Sequence, residues 1–190
     1  MQPTIKQFLT EMPQLVSDFI GYQPDREFKP VGRHLVDEYE LLGNDGEYSY
    51  YINSPNGVRG FVFENYDLEM TAPQDTVVPV AVVDLRASPP PIAPIRQVEW
   101  VAVQRKHAKI GIVATWYDLY ADAYNGIASD YEHTKGGMML WKHFIRTGNV
   151  WMVDTSEPHP KVSRVSQDVD QSTIWTDSAV SKNIILIYQP

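Results

Sequence analysis

The chain has 190 residues, 43% of them hydrophobic and 21% charged, which is the composition of one globular domain and excludes a disordered chain. It contains no cysteine, which excludes disulfides, thiolate nucleophiles and Cys-ligated zinc and agrees with a cytoplasmic protein. The net charge of -8 disfavours direct binding to nucleic acid or to an anionic membrane, because attraction to a polyanion needs an excess of Lys and Arg.

The first predicted element is a helix near the N-terminus. Thr4 and Gln7 have the spacing of a capping box, and apolar residues recur at helical spacing from Ile5 to Ile20. Pro13 lies inside this pattern and either kinks the helix or begins a second one. Because no basic region precedes an apolar run and no run has spanning length, we expect neither a signal peptide nor a membrane span.

An antiparallel meander is predicted next. Its strands are Leu35–Leu42, Tyr48–Asn53 and Val58–Glu64, which are rich in aromatic and β-branched residues. Asn44-Asp45-Gly46 separates the first two strands. Asn56-Gly57, which separates the last two, is the strongest hairpin signal in the chain.

A loop and two further strands follow in the prediction. Asn65–Thr76 is polar and reads as a loop, and Val77–Leu85 reads as a strand with an edge or a bulge at Pro79. A proline-rich connector, Ser88–Pro94, then leads into Val98–Val103. This short apolar run, with Glu99 inside it, is typical of a central strand covered on both faces.

A basic turn separates the central strand from a helix. The turn is Arg105–Gly111, and apolar residues from Ile110 onward have helical spacing, so we expect the helix to begin near Gly111. Free backbone N–H groups and the helix dipole attract an anion at such a start, and the basic side chains favour a phosphate. A solvated turn without a ligand is the alternative.

The remaining elements alternate between strands and one helix. The pattern predicts a helix over Lys135–Thr147, with a strand on each side of it at Tyr124–Ser129 and at Val150–Asp154. Glu157–Ser172 is polar, contains two prolines and reads as a long loop. The last predicted strand is Asn183–Tyr188.

The turn resembles the cofactor-binding segment of the GNAT superfamily of acetyl-CoA-dependent N-acetyltransferases. In that family a V-x-V strand runs into R/Q-x-x-G-x-G/A, and here Lys106-His107-Ala108-Lys109-Ile110-Gly111 stands at this place. Lys106 replaces the family's Arg or Gln, Lys109 replaces the first glycine, and Gly111 matches the second. The short central motif, followed by Ser129-Asp130 and Leu140-Trp141, also resembles the divergent acetyltransferase-like proteins that bacteriophages encode.

The resemblance implies a single α/β (α+β) domain over residues 1–190. Its GNAT-like mixed, mostly antiparallel sheet would have about six to seven strands flanked by helices. It also implies acetyl-CoA as cosubstrate, an amine-bearing small molecule or protein as acceptor, and the cytoplasm, that of the bacterial host if phage-encoded, as location. The implied cofactor-binding residues are Val101, Val103, Arg105, Lys106, Lys109, Gly111, Ile112 and Thr134.

Two residues are candidates for acid–base catalysis. By the resemblance, an acidic residue in the central strand is the general base, and we expect the apolar neighbours of Glu99 to desolvate it partly. Pairing with an Arg or exposure to solvent is the structural alternative for Glu99. Where the family often has a Tyr that protonates the thiolate, this chain has Trp141, so Tyr131 is the candidate acid, with His143 and Tyr117 as substitutes.

Other functions stay open at the level of sequence. A GNAT-shaped protein without turnover could serve as a binding or assembly component, either as a homo-oligomer or with a virion or host protein. A nucleic-acid modifier that acts through a protein partner is a weaker reading because of the negative charge. The five histidines form no His-x-His or His-Glu-x-x-His motif, so no metal site is expected.

Overall fold

The computed structural model describes residues 28–53, 57–108, 111–130, 135–156, 159–168, 174 and 183–190. The predicted N-terminal helix lies outside these ranges. The helices are α1 (Arg33–Val36), α2 (Asn65–Met70), α3 (Ile112–Tyr124) and α4 (Lys135–Thr147), and a 3-10 turn covers Arg105–His107. The strands are β1 (Val31–Gly32), β2 (Glu40–Asn44), β3 (Tyr48–Ile52), β4 (Arg59–Glu64), β5 (Thr76–Val77), β6 (Ala81–Ala87), β7 (Arg96–Val103), β8 (Ile127–Ala128), β9 (Asn149–Asp154), β10 (Lys161–Arg164) and β11 (Ile184–Gln189).

The strands form one large sheet and one small one. The large sheet has the order β10-β9-β11-β8-β7-β6-β4-β3-β2, and β1 pairs with β5. Pairing is antiparallel from β2 to β6 and from β8 to β10. β7 pairs with β8 in parallel, with Arg96 opposite Ile127 and Gln97 opposite Ala128. The fold is therefore α+β with a mixed, mostly antiparallel sheet, as predicted, but the sheet has nine strands instead of six to seven.

The chain divides into two compact units. The first unit comprises the described residues within Met1–Leu85 and Glu99–Leu119, and the second those within Arg86–Val98 and Tyr120–Pro190. Strands β6 and β7 and helix α3 contribute residues to both units. The prediction of a single domain stays a prediction, and each unit is described by itself.

The first unit packs residues on both faces of β4. Because side chains alternate along a strand, Phe61 and Phe63 share one face, where they join an apolar cluster with Leu68 of α2. On the other face a Cβ placed on Gly60 would lie 2.1 Å from Cζ2 of Trp116 in α3. Glycine at position 60 thus allows the fully buried Trp116 ring to lie against the strand, where its indole N–H donates to the Tyr51 carbonyl at 3.0 Å.

The second unit has a core built around its last strand. β11 is apolar and almost wholly buried, which is expected of a strand that has a partner on each side. Its Ile185 and Ile187 form a cluster with Val153 of β9 and with Ala128 of β8. Tyr188, near the end of the strand, stacks on Phe144 of α4 with ring centroids 4.3 Å apart.

Two predictions in the first half of the chain are wrong because tertiary packing changes the local structure. The predicted loop Asn65–Thr76 contains α2, whose Leu68 is buried in the first core, and its last residue begins β5. The predicted strand Leu35–Leu42 begins within α1, and its β-structure starts only at Glu40.

The strand predicted at Val77–Leu85 is divided. β5 and β6 are separated around Pro79, which lacks the N–H that a continuous ladder needs. The Pro79 carbonyl instead accepts a hydrogen bond from Nε2 of Gln104 at 2.9 Å. A proline here therefore marks a break between two strands and not a bulge inside one.

Two boundaries differ in the second half. The strand predicted at Tyr124–Ser129 is only Ile127–Ala128, because α3 continues to Tyr124 and ends at Asn125 and Gly126, whose φ angles of 61° and 133° are left-handed. The predicted loop Glu157–Ser172 contains β10, which pairs with β9.

The structure confirms the central strand, the start of α3, the bounds of α4 and, within one residue, the last strand. Among the described residues, no helix has the length and apolarity to cross a membrane.

Candidate functional site

The basic turn has an exposed half and a buried half. Arg105 and Lys106 are exposed, whereas His107, the last residue of the 3-10 turn, is 4% exposed. Gly111 has a φ of 79°, a left-handed angle that favours glycine, and the helix begins directly after it. Lys109 lies outside the described residues.

Helix α3 starts where the sequence predicts. The Thr115 N–H donates to the Gly111 carbonyl at 3.1 Å, which closes the first helical turn. The side chain of Ile112 is buried at 2% exposure and anchors this end of the helix. Among the described residues predicted to hold coenzyme A here, Arg105 and Lys106 present charged side chains to solvent. Anion binding at this turn stays a prediction.

Glu99 is exposed, so the expected desolvation of its carboxylate is wrong. Successive side chains of a strand point to opposite faces, and its neighbours Val98 and Trp100 therefore cannot cover it. Val101 and Val103, predicted to contact the cofactor, are half-buried in β7. The candidate acid Tyr131 and the candidate cofactor residue Thr134 lie outside the described residues.

The substitutes for the acid are buried. Tyr117 is 2% exposed, and burial raises its pKa, so its hydroxyl holds its proton. His143 is 9% exposed, and Trp141, in the position of the family's Tyr, is 2% exposed. In α4 the Trp141 and Phe144 rings pack edge to face at 5.9 Å, which makes position 141 part of the core of the second unit.

A cluster of titratable groups surrounds the buried end of the turn. The Tyr48 hydroxyl lies 3.0 Å from Nδ1 of His107, and the two rings meet edge to face. Nε2 of His107 lies 3.6 Å from Oε1 of Glu64 and has no hydrogen-bond partner among the described residues. Nζ of Lys106 lies 3.4 Å from Oε2 of the same carboxylate. We call Tyr48, Glu64, Lys106 and His107 the His107 cluster.

Burial dominates the electrostatics of this cluster. It raises the pKa of Tyr48, and a hydrogen bond with the Glu47 carboxylate and the charge of that carboxylate raise it further, to about 12. For His107, burial lowers the pKa below its ordinary 6.5, and the charge of Glu64 opposes this only in part. The imidazole is consequently neutral at neutral pH, beside a carboxylate that would attract its charged form.

Sequence reasoning missed Tyr48 and Glu64. Strands β3 and β4 pair with Tyr48 directly opposite Glu64, which puts both side chains on the same face. The Asn56-Gly57 signal predicts that these strands pair, but a two-residue turn would put Tyr48 opposite Asn65, and a slip of one residue changes the face of every side chain. No local pattern predicts His107 as the third member, because it is 59 residues from Tyr48.

The carboxylate of Asp45, in the turn before β3, accepts hydrogen bonds at both of its oxygens. Oδ2 of Asp45 accepts a hydrogen bond from the Tyr50 hydroxyl at 2.6 Å. Burial raises the pKa of Asp45, but hydrogen bonds from Tyr50 and from the backbone of Tyr48 and Glu47 outweigh it and lower the pKa. The Asp45 carboxylate therefore organises the β2–β3 turn.

A second polar network lies in the second unit. Gln97 is completely buried; its Nε2 donates to the Ser129 carbonyl at 2.8 Å, and its Oε1 accepts from Nε of Arg86 at 3.1 Å. Arg86 also pairs with Asp130 at 2.6 Å. The Ser129 hydroxyl accepts the Leu186 N–H at 2.9 Å. Each of these contacts has hydrogen-bond geometry. The polar groups of this network are therefore engaged in joining strands and are poor candidates for catalysis.

Among the described residues, no group of three or more His, Asp or Glu side chains could hold a metal ion.

No protein-family model matches the chain, and neither a curated protein nor a solved structure matches it.

Proposed function

We propose that the chain is a GNAT-like acyltransferase that moves an acetyl group from acetyl-CoA to an amine. The observation that carries the proposal is the parallel pair of β7 and β8, which the chain connects through a basic turn and helix α3. The GNAT resemblance implies this order of strand, turn, helix and strand around the cofactor segment. The proposed compartment is the cytoplasm, that of the host if a phage encodes the chain.

The turn supplies the features that an acyl carrier with phosphates would use. Arg105 and Lys106 are exposed, and the left-handed Gly111 leads directly into the first turn of a 13-residue helix. The helix dipole and the two cations both favour a phosphate at this place. The backbone of Val101 and Val103 in β7 would receive the extended arm of the cofactor, in line with the resemblance.

Cofactor binding is tested by calorimetry. We expect acetyl-CoA and desulfo-CoA to bind with micromolar affinity, and Lys106→Ala to weaken both about ten-fold through the loss of one charge-assisted contact. Lys161→Ala is the matched control, because Lys161 is exposed on β10. The absence of binding at millimolar cofactor would contradict the proposal, as would equal losses in the two variants.

Gly111 offers a second test of the turn. Gly111→Ala introduces a Cβ at a left-handed residue, which costs about 1–2 kcal/mol of backbone strain, and should also weaken binding of desulfo-CoA. Gly46→Ala is its control, because Gly46 has a φ of 93° and nothing within 4 Å of an added Cβ. The control should show the strain without the loss of affinity. Equal affinities for the two variants would argue against cofactor at the turn.

The second candidate function is a GNAT-shaped binding or assembly component without turnover. The exposure of Glu99 favours it, because the residue predicted as the general base lies in solvent and not in an enclosed site. Tyr66 and Met70 of α2, one helical turn apart and 71% and 69% exposed, provide an apolar surface for a second copy or for a virion or host protein. Sedimentation of the wild type and of Tyr66→Lys distinguishes a self-associating protein from a monomer.

A further inference from the structure

The unusual feature of the His107 cluster is one buried nitrogen. Nδ1 of His107 has the Tyr48 hydroxyl at 3.0 Å, whereas Nε2 is shielded from solvent and has no hydrogen-bond partner among the described residues. Oε1 of the Glu64 carboxylate lies 3.6 Å from it. An unpaired buried polar atom lowers stability because it loses its hydrogen bonds to water without replacement, and such an atom calls for a role that offsets this cost.

The surroundings of Nε2 indicate which ring nitrogen carries the proton. A proton on Nε2 would face the Glu64 carboxylate and should draw it within hydrogen-bond distance, whereas the separation is 3.6 Å and Nε2 has no hydrogen-bond partner among the described residues. The Tyr48 oxygen then accepts from Nδ1–H of His107. Nε2 is left with a lone pair directed at the Glu64 carboxylate, so that neither of these two atoms has a proton to share.

We infer that Glu64 and His107 form a proton-accepting pair, in which Glu64 receives the proton of a cationic amine and Nε2 of His107 holds it. The catalytic role of this pair, as the general base, rests on the proposed acetyl transfer. The ammonium nitrogen loses one proton to the pair, and the freed electron pair forms an N–C bond with the carbonyl carbon of the thioester. The C–S bond then breaks, and coenzyme A leaves as a thiolate that takes the second proton from the nitrogen. The first proton comes to lie between Oε1 and Nε2, and the charge of the pair changes from −1 to 0.

Exposure and charge support this direction of transfer. The Glu64 side chain is 27% exposed and can meet a substrate, whereas the His107 side chain is 5% exposed and lies behind the surface. The ammonium of Lys106, 3.4 Å from Oε2, shows that an alkylammonium can reach this carboxylate. The ligand class is thus a primary amine, which takes the place of Lys106 beside Glu64 when the Lys106 ammonium contacts the cofactor phosphate.

Two opposed effects set the pKa of His107. Burial keeps the ring neutral, and the surrounding carboxylates favour the uptake of a proton. Glu64 at the end of β4, Glu47 before β3 and Asp67 on α2 raise the pKa of His107, and Lys106 in its own turn lowers it. Burial, the largest cause, leaves the pKa below 6.5. The ring is therefore a neutral base at neutral pH, and the carboxylates compensate the charge that it gains.

Ring-nitrogen NMR of the full chain tests the pair without any substrate. We expect neutral His107 to carry its proton on Nδ1, and Glu64→Gln to lower its pKa because the variant lacks the carboxylate charge. Glu69→Gln, an exposed position on α2, is the matched control and should leave this pKa unchanged. A proton on Nε2 of the neutral ring, or equal pKa values in both variants, would overturn the inference.

Transfer kinetics test the role of Glu64 and His107 as the general base separately from the proposed acyltransferase activity. With acetyl-CoA and a primary amine, we expect Glu64→Gln to lower kcat about 100-fold, the size of a lost general base, at unchanged KM for acetyl-CoA. His107→Gln should remove the acidic limb of the profile of kcat/KM against pH. If Glu99→Gln abolishes turnover and Glu64→Gln does not, the pair is not the base. If the wild type transfers nothing, the acyltransferase proposal fails, and the nitrogen spectrum alone decides the proton site.

Discussion

Gln97 in the second unit and His107 in the first are both polar residues with at most 4% exposure, yet their surroundings differ. Both polar groups of the Gln97 amide have partners at hydrogen-bond distance. His107 has a partner on one nitrogen and a carboxylate just beyond hydrogen-bond distance of the other. A satisfied buried network fixes strands in place, whereas an unsatisfied nitrogen beside a charge can gain a proton. This difference makes the His107 cluster, and not the Gln97 network, the candidate for chemistry.

The largest effect is expected from breaking the satisfied network. Gln97→Leu removes the acceptor of Arg86 and the donor to the Ser129 carbonyl, and should lower the free energy of unfolding by about 3 kcal/mol. Urea unfolding followed by tryptophan fluorescence measures the loss. Gln167→Leu, at an exposed position, is the control. If both variants have the same stability, the Gln97 network does not stabilise the fold.

A smaller loss is expected at the serine of the same network. Ser129→Ala leaves the buried Leu186 N–H without its hydroxyl acceptor, which should cost about 2 kcal/mol, and Ser163→Ala on the exposed β10 should cost almost nothing. Hydrogen exchange of the Leu186 amide reports the change locally. Unchanged protection of this amide in Ser129→Ala would show that another group satisfies it.

The hydroxyl of Tyr48 should contribute less. Tyr48→Phe removes the hydroxyl partner of Nδ1 of His107, and we expect a loss of about 1 kcal/mol, because the hydrogen bond joins two neutral groups. Thermal unfolding of Tyr48→Phe and of the exposed control Tyr66→Phe provides the comparison. A stabilising effect of Tyr48→Phe would contradict the assigned hydrogen bond.

The mildest perturbation is a change of pH. The folded-state pKa of His107 lies below its ordinary 6.5, so the unfolded chain binds a proton first as the pH falls. Stability is full above pH 6.5 and falls as the pH decreases from 6.5 through the lowered pKa. We expect His107→Gln to flatten this part of the curve of unfolding free energy against pH, whereas the exposed control His34→Gln keeps it. An identical slope in His107→Gln and the wild type would show that another group causes it.

Local sequence patterns determined most of the elements of this protein. The central strand, the start of α3 after Gly111, the bounds of α4 and the antiparallel pairing of β3 with β4 follow from periodicity and turn residues, because these signals depend on neighbours in sequence. The register of this pairing, which puts Tyr48 opposite Glu64, is known only from the tertiary structure. The helix within Asn65–Thr76 depended instead on burying Leu68 in a distant core.

Only the tertiary structure decided which titratable groups are buried. Glu99 lies in an apolar strand and is exposed, whereas His107 lies in a basic turn and is buried against Tyr48, 59 residues away. Desolvation depends on every atom around a group, and most of those atoms come from residues far along the chain. The sequence therefore names the acids and bases of this protein, and the packing of the first unit selects the pair that can exchange a proton.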